Sequence, residues 1–213
     1  MTPALRPGLF FRQFENIILF FDLPLDRYFM LSGSRAQRFE RFVAGRGRKD
    51  DIEALQSEGL ISSADRRSCP KNHQVLPPTR SLVDNPLPQG SVRATIASLT
   101  AQISARRDLR RHELAHVIGG LHSDFAGAGS PDSIDCTDLA GAFLRAARYL
   151  PAADQCLARS IAMKRLLLAR GRASILVFGV TMPFAAHCWV QVGDTVLTDP
   201  LDIVLRYQPI FAI

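Results

Sequence analysis

The sequence predicts an α+β protein of two unequal units, and three observations lead to that prediction. Strand-like and helix-like patterns occur together near both ends of the chain. Five of the thirteen prolines lie between Cys69 and Pro88, in a stretch without apolar periodicity. The 213 residues are 47% hydrophobic and 22% charged, which excludes a disordered or collagen-like chain. We therefore predict a first unit at 1–65, a linker at 66–90 and a second unit at 91–213.

The charge and the cysteines bear on partners and compartment. The net charge of +6 is too small to indicate a nucleic-acid partner. The four cysteines are irregularly spaced without a CxxC pair, which favours reduced thiols and a cytoplasmic location. The N-terminal residues lack the pattern of a secretory signal. The uncharged run 173–193 approaches membrane-span length, but its break at Met182-Pro183 predicts two buried strands, and no membrane partner is expected.

The first unit is predicted to hold two strands, Asn16–Phe21 and Arg27–Leu31, joined by a proline-containing turn. One helix is expected from Ser34, where phenylalanines recur at helical spacing, and a second over Asp50–Glu58, which begins at acidic residues. A sheet edge beside a helix can accept an extended peptide as an added strand. The alternative is an accessory domain that packs on the second unit. The predicted peptide contacts are Arg27, Tyr28, Phe29, Met30, Leu31, Ile52 and Leu55.

The second unit opens with helical patterns, one of which includes a metal-binding motif. The first helix is predicted from aliphatic residues that step by four, three and four: Val92, Ile96, Leu99 and Ile103. The sequence then matches HExxHxxGxxH at His112, Glu113, His116, Gly119 and His122. In zinc proteases such histidines bind the metal and the glutamate activates water. The downstream methionine turn of those proteases is missing, and solvated histidines on a polar helix face are the alternative. We expect no metal.

A second constellation lies in the last third of the chain. Asp154 is placed to cap a helix, so that Cys156 falls in its first turn, where free amides and the helix dipole favour the thiolate. His187 is predicted on a strand and Asp199 at the end of the next. Cysteine, histidine and aspartate can serve as nucleophile, base and orienting carboxylate. The alternatives are a core cysteine with a structural histidine, and Cys136 as nucleophile, since it too follows an aspartate at a predicted helix start.

The loop between the two strands decides whether His187 and Asp199 can meet. With a two-residue turn at Gly193-Asp194, His187 faces Pro200 and Asp199 lies on the other face of the sheet. A three-residue loop or a bulge moves the register by one residue and puts the two side chains opposite each other. We therefore predict an odd-numbered loop or a bulge. Strand alternation also points Cys188 away from the His187 face, so no catalytic role is expected for it.

This C-terminal stretch resembles the lasso-peptide biosynthesis B proteins, a family of leader peptidases in the transglutaminase-like, papain-related cysteine protease group. The resemblance rests on CLARS at 156–160, PFAAHCWV at 183–190, DP at 199–200 and YQPI at 207–210. It implies that Cys156 is the nucleophile, His187 the base and Asp199 the carboxylate. The first unit is similar, through residues 26–32 and 50–61, to PqqD-like leader-recognition domains, which implies a small winged-helix-type fold.

The resemblance also implies a function. The first unit would bind the leader of a lasso precursor peptide, the second would cut it off, and an asparagine-synthetase-like cyclase would use the exposed amine. The expected oxyanion donors are the Cys156 amide and one further, unidentified group, for which Gln155 is a candidate. No cofactor is expected, because the chain contains no GxxxxGK[ST] motif for ATP. Two alternatives remain: a zinc metalloprotease that uses residues 112–122, and a non-catalytic peptide-binding adaptor.

Overall fold

The chain forms two compact units, residues 1–71 and 72–213, each described by itself below. The structure, a computed structural model, describes residues 3–62, 72–88, 90–121, 131, 133–150 and 156–213. No helix within these ranges is long and apolar enough to cross a membrane.

The first unit consists of a three-stranded antiparallel sheet, two helices and a short strand pair. The sheet has the order β2–β3–β4, and β1 pairs with β5. The elements are β1 (Ala4–Leu5), β2 (Leu9–Phe14), β3 (Ile17–Asp22), β4 (Arg27–Ser32), α1 (Gly33–Val43), α2 (Lys49–Ser57) and β5 (Ile61–Ser62). The two predicted strands and both predicted helices are confirmed to within a residue or two. Strand β2 was not predicted; it joins β3 through a two-residue turn at Glu15-Asn16.

Aromatic side chains fill the core of the first unit. Phe20 on β3 and Phe39 on α1 are 0% exposed, and their rings meet edge to face at 4.8 Å between centroids. Phe11 on β2 packs on Phe39 in the same way at 5.0 Å. Such pairs stabilise a small core beyond the area that they bury. Arg41 on α1 donates to Asp51 on α2 at 2.9 Å, which fixes the second helix on the first.

The second unit is a five-stranded sheet with helices packed on it. The strand order is β10–β7–β8–β9–β6, and all pairs are antiparallel except the parallel pair β6–β9. The strands are β6 (Arg80–Ser81), β7 (Ile175–Thr181), β8 (Ala185–Val192), β9 (Thr195–Val196) and β10 (Gln208–Ala212). The helices are α3 (Val92–Arg111), α4 (Leu114–Gly119), α5 (Ile134–Ala146), α6 (Cys156–Ala169) and α7 (Leu201–Val204). The two predicted strands flanking Met182-Pro183 are confirmed as β7 and β8.

The predicted linker at 66–90 is wrong for residues 72–88, which belong to the second unit. Gln191 Nε2 on β8 donates to the Leu76 carbonyl at 2.9 Å, and Thr79 N donates to the Asp194 carbonyl at 2.9 Å. Arg80–Ser81 then forms an edge strand of the sheet. The prolines prevent a helix in this segment, but its backbone finds hydrogen-bond partners more than a hundred positions away, which local periodicity does not reveal.

Helix α3 presents three of its four regularly spaced aliphatic residues to solvent, and the fourth, Leu99, is partly buried. Val92 is 62% exposed, Ile96 57% and Ile103 48%. Its buried face consists of small and polar residues: Ala94, Thr95, Ser98, Gln102 and Ala105. The helix is therefore present as predicted, but an amphipathic helix of a globular protein ordinarily buries its apolar stripe.

Candidate active site

Three side chains meet where α6 begins beside β8. Cys156 is the first residue of α6 and its thiol is free and partly buried. The thiol lies within hydrogen-bonding reach of the His187 imidazole on β8. His187 Nε2 lies 3.1 Å from Asp199 Oδ1. Because the carboxylate engages Nε2, Nδ1 is the ring nitrogen left for the thiol. Asp154 and Gln155, the predicted cap and oxyanion donor, lie outside the described residues.

The two strands hold the imidazole in a packed environment. His187 pairs with Gly179 across the β7–β8 ladder. A Cβ at Gly179 would lie 2.9 Å from Tyr207 Cβ and 2.4 Å from the Trp189 ring, so the missing side chain leaves room for both neighbours. The Tyr207 ring lies beside the imidazole, with 5.2 Å between centroids. Because the ring packs on Tyr207 and is hydrogen-bonded to Asp199, its orientation is fixed.

Asp199 reaches His187 by a route that differs from the predicted one. The turn at Gly193-Asp194 has two residues, with Val192 opposite Thr195, so the prediction of an odd-numbered loop is wrong. The ladder ends soon afterwards, because the Thr198 hydroxyl accepts the hydrogen bond from Val190 N at 3.1 Å. Beyond that point the chain leaves the strand register, and the alternation of faces no longer applies to Asp199.

The charges of the cysteine and the histidine depend on each other. A hydrogen bond from the Cys188 thiol has the largest effect on Cys156, and together with the hydrogen bond and charge of His187 it lowers the Cys156 pKa to about 4, although burial raises it. Burial lowers the pKa of His187, but hydrogen bonds to Asp199 and Cys156 outweigh it and raise that pKa to about 9. At neutral pH the pair is therefore a thiolate and an imidazolium, the form in which a cysteine is nucleophilic.

Cys188 contacts the site, although strand alternation predicts that it points away from the His187 face. Cys188 is 6% exposed, and both its thiol and its backbone hydrogen-bond with Cys156. Ser160, one turn after Cys156 on α6, donates to the Cys188 carbonyl at 3.1 Å. The helix thus crosses β8 at Cys188, and the Cys156 thiol lies beside the strand backbone itself. A thiol at that level is within reach of side chains from both faces of the strand.

Sequence reasoning missed two residues that hold the carboxylate. Arg159 Nη2 donates to Asp199 Oδ1, and Ser81 Oγ donates to the Asp199 carbonyl at 2.6 Å. Burial raises the pKa of Asp199, but the His187 hydrogen bond and the Arg159 charge lower it below its ordinary value. The position of Arg159, three residues after Cys156 and so on the same helix face, was a usable signal. Ser81 offered none, because it lies 118 positions before Asp199.

Comparison with known proteins assigns the second unit to a family. The profile of the Transglutaminase-like superfamily matches residues 99–212, more than half of the chain. The chain belongs to the transglutaminase-like superfamily. A segment of 47 residues in this transglutaminase-like chain is also 49% identical to the microcin J25-processing protein McjB of Escherichia coli. That alignment covers 22% of the chain and 23% of McjB, and no solved structure matches.

The contact with Cys188 gives a prediction for this transglutaminase-like site. Cys188→Ala removes the hydrogen bond with the largest effect on Cys156, so the Cys156 pKa should rise. We expect the acid inflection of iodoacetamide alkylation at Cys156, followed by peptide mass, to move up by about one pH unit. Cys188→Ser, whose hydroxyl can still donate, is the control and should shift it less. An unchanged inflection in both variants would show that the Cys188 thiol does not stabilise the thiolate.

The HExxH match does not form one metal-binding helix face. Helix α3 ends at Arg111, and His112 and Glu113 are extended before α4 begins at Leu114. His112 and His116 therefore lie on two different elements, although their rings are 5.3 Å apart between centroids. His122 lies outside the described residues, and within these no group of metal-ligating side chains is found. The geometry on which the zinc alternative depends, two histidines one turn apart on one helix, is absent from residues 112–116.

The predicted peptide-binding residues divide into buried and accessible ones. Leu31 and Leu55 are each 1% exposed and belong to the core, so the prediction that they contact a peptide is wrong. Ile52 packs partly on the same core. Phe29 stacks on Phe20 and Tyr28 on Phe21 within the sheet, and Met30 is 47% exposed. Arg27 is exposed beside them. All of β4 lies at the edge of its sheet.

Proposed function

We propose that this chain is a cysteine peptidase that removes the leader of a lasso-peptide precursor. The observation that carries the proposal is the hydrogen-bonded series Cys156, His187, Asp199, in which the first two groups are charged at neutral pH. Membership in the transglutaminase-like superfamily supports a cysteine protease-type enzyme. The partial identity with McjB, a protein named for microcin J25 processing, supports a peptide precursor as the substrate.

In the proposed mechanism each of the three residues has one role. The Cys156 thiolate attacks the scissile carbonyl, and the charge that develops on its oxygen is stabilised by the Cys156 backbone amide. The His187 imidazolium protonates the amine of the following residue, which leaves with the new N-terminus, and a thioester remains on Cys156. Neutral His187 then takes a proton from water, which hydrolyses the thioester and releases the leader. Asp199 keeps the imidazole oriented and stabilises its charge throughout.

The first unit is proposed to bind the leader. The outer edge of β4 has no strand beside it in the described sheet, so that an extended leader can add there as a fourth strand. An asparagine-synthetase-like cyclase is the proposed partner that consumes the freed amine. This part of the proposal rests on the resemblance of residues 26–32 and 50–61 to PqqD-like domains.

A substitution on β4 tests the leader site. Met30→Asp in the full-length chain should weaken binding of a fluorescent leader peptide by about tenfold, because it puts a charge beside the added strand. The control is Val43→Asp at the end of α1, where the side chain is 53% exposed. If the two variants bind the leader peptide with equal affinity, the leader does not bind along β4.

Inhibitors distinguish the proposed function from its alternatives. The chain is incubated with the precursor peptide, and the products are identified by mass spectrometry. We expect one cut between leader and core that iodoacetamide prevents and that 1,10-phenanthroline leaves unchanged. Inhibition by the chelator alone would indicate a zinc protease, and leader binding without any cut, with or without the cyclase, would indicate an adaptor.

A further inference from the structure

The outer face of α3 carries a seam that the fold of the second unit does not use. Its aliphatic residues Val92, Ile96, Leu99 and Ile103 step by four, three and four, and Arg106 and Arg110 continue the same steps. This is the spacing of the a and d positions of a coiled coil. The first two heptads of the seam are thus apolar, and its last part is cationic.

The inner face of α3 explains why the aliphatic residues are free to face outward. The buried Ser98 Oγ donates to the Ala142 carbonyl of α5 at 3.4 Å, so the two helices approach closely there. A Cβ at Gly141 of α5 would lie 2.3 Å from the Pro88 carbonyl, just before α3 begins. Only small side chains fit such a contact. Helix α3 therefore packs in the unit through its face of small and polar residues, and the aliphatic seam is not part of that packing.

The cationic end of the seam forms a concave site. Ile103 lines a depression of about 410 Å³ together with four arginines, Arg106, Arg107, Arg110 and Arg111. Among the residues that the structure describes, no carboxylate forms an ion pair with these four guanidinium groups. The nearby Asp108 already has an ion-pair partner, because Arg165 of α6 donates to its carboxylate at 2.6 Å. An arginine side chain that has no ion-pair partner can bind a carboxylate through two hydrogen bonds.

We propose that the outer face of α3 binds an amphipathic helix of a partner protein whose aliphatic seam ends in aspartate or glutamate residues. The aliphatic side chains of the partner would pack on Val92, Ile96 and Ile103, and its carboxylates would pair with the arginines around the depression. Charge complementarity defines the acidic end of the partner, and the narrow a/d spacing defines its helical form.

Two other occupants fit the face less well. A lipid surface is bound by helices with a broad apolar face, whereas this seam is one residue wide at each step. A second copy of the chain would oppose arginines to arginines in a parallel pair. In an antiparallel pair it would bury the guanidinium groups of one copy against the isoleucines of the other, which leaves charges unpaired.

The test uses a synthetic three-heptad peptide with leucines at a and d in two heptads and glutamates in the third. Fluorescence anisotropy with the full-length chain should show saturable binding. Either Ile96→Asp with Ile103→Asp, or Arg106→Glu with Arg110→Glu, should weaken it by about tenfold or more. The matched controls, called the α5 controls below, are Leu144→Asp on α5, at a side chain that is 45% exposed, and Arg148→Glu at an exposed position just after that helix; both should bind like the unchanged chain. Circular dichroism checks that each variant is folded.

A charge exchange makes the result specific. A peptide with lysines in place of the glutamates should fail to bind the unchanged chain and should bind the variant with Arg106→Glu and Arg110→Glu. The proposal is overturned if neither peptide binds, or if the seam variants bind as well as the α5 controls. It is equally overturned if the seam variants instead abolish binding to phosphatidylglycerol vesicles, or convert a dimer of this chain to a monomer in sedimentation.

Discussion

Replacing Cys156 by alanine should abolish cleavage of the precursor and leave leader binding unchanged. The thiolate forms the bond to the scissile carbonyl in the proposed mechanism, and the neighbouring thiol of Cys188 is buried. Loss of a covalent nucleophile reduces turnover by a factor of about 10⁴ or more. Product formation by mass spectrometry and leader affinity by anisotropy are the two measurements. The second should not change, because β4 belongs to the other unit.

Cys136→Ala is the matched control for this experiment. Cys136 is 1% exposed and is the third residue of α5, so it lies in the first turn of its helix, as Cys156 does in α6. We expect this variant to keep its turnover, with a small loss of stability from the missing sulfur. If instead Cys136→Ala stops cleavage and Cys156→Ala does not, the nucleophile has been assigned to the wrong cysteine.

Replacing Asp199 by asparagine should reduce kcat by about 10³-fold at pH 7, because the amide does not stabilise the imidazolium or fix its orientation. The pH profile should also change. In the unchanged chain kcat/KM should stay level between the Cys156 pKa of about 4 and the His187 pKa of about 9. Asp199 is one of the groups that raise the His187 pKa, so without it the imidazolium loses its proton at lower pH. The alkaline limb should therefore move down.

Asp202→Asn is the control for the loss of a carboxylate in this segment. Asp202 lies three residues further on, where its side chain is 69% exposed and pairs only with Arg206 among the described ion pairs. Both its kcat and its pH profile should match those of the unchanged chain. An alkaline limb that stays in place in Asp199→Asn would mean that this carboxylate does not interact with the base during turnover.

Features that depend on neighbouring residues could be predicted from the sequence. The break at Met182-Pro183 separated two buried strands, and the helix that begins near Cys156 lies where local pattern placed it. The meeting of His187 and Asp199 was predicted, but by the wrong route. Strand alternation would apply to Asp199 only if the β8–β9 ladder continued to that residue. The ladder ends earlier, because the Thr198 hydroxyl takes the place of a backbone acceptor for Val190 N.

Features that depend on distant contacts could not be predicted. The spacing of Val92, Ile96 and Ile103 identifies a helix, yet the same pattern fits a face toward the core or a face toward another protein. The close packing of α3 on α5 decides between these two orientations of the apolar face, and it cannot be deduced from the sequence of α3 alone. Likewise, no local signal distinguishes residues 72–88 from a linker, because their partners lie at the far end of the unit.

Those distant partners have a consequence for how the second unit folds. Gln191 and Leu76, whose hydrogen bond ties the segment to β8, are 115 positions apart, and closing a loop of that length costs about 4 kcal/mol of chain entropy. The backbone hydrogen bonds of helices α3, α5 and α6 join residues four positions apart and need no such closure. The backbone of Asp199 is held by Ser81, so the position of the carboxylate depends on this closure, whereas the place of Cys156 at the start of α6 does not. A variant that loses the contacts of residues 72–88 with the rest of the unit would therefore keep Cys156 on its helix but lose the Ser81 contact that places Asp199 beside His187.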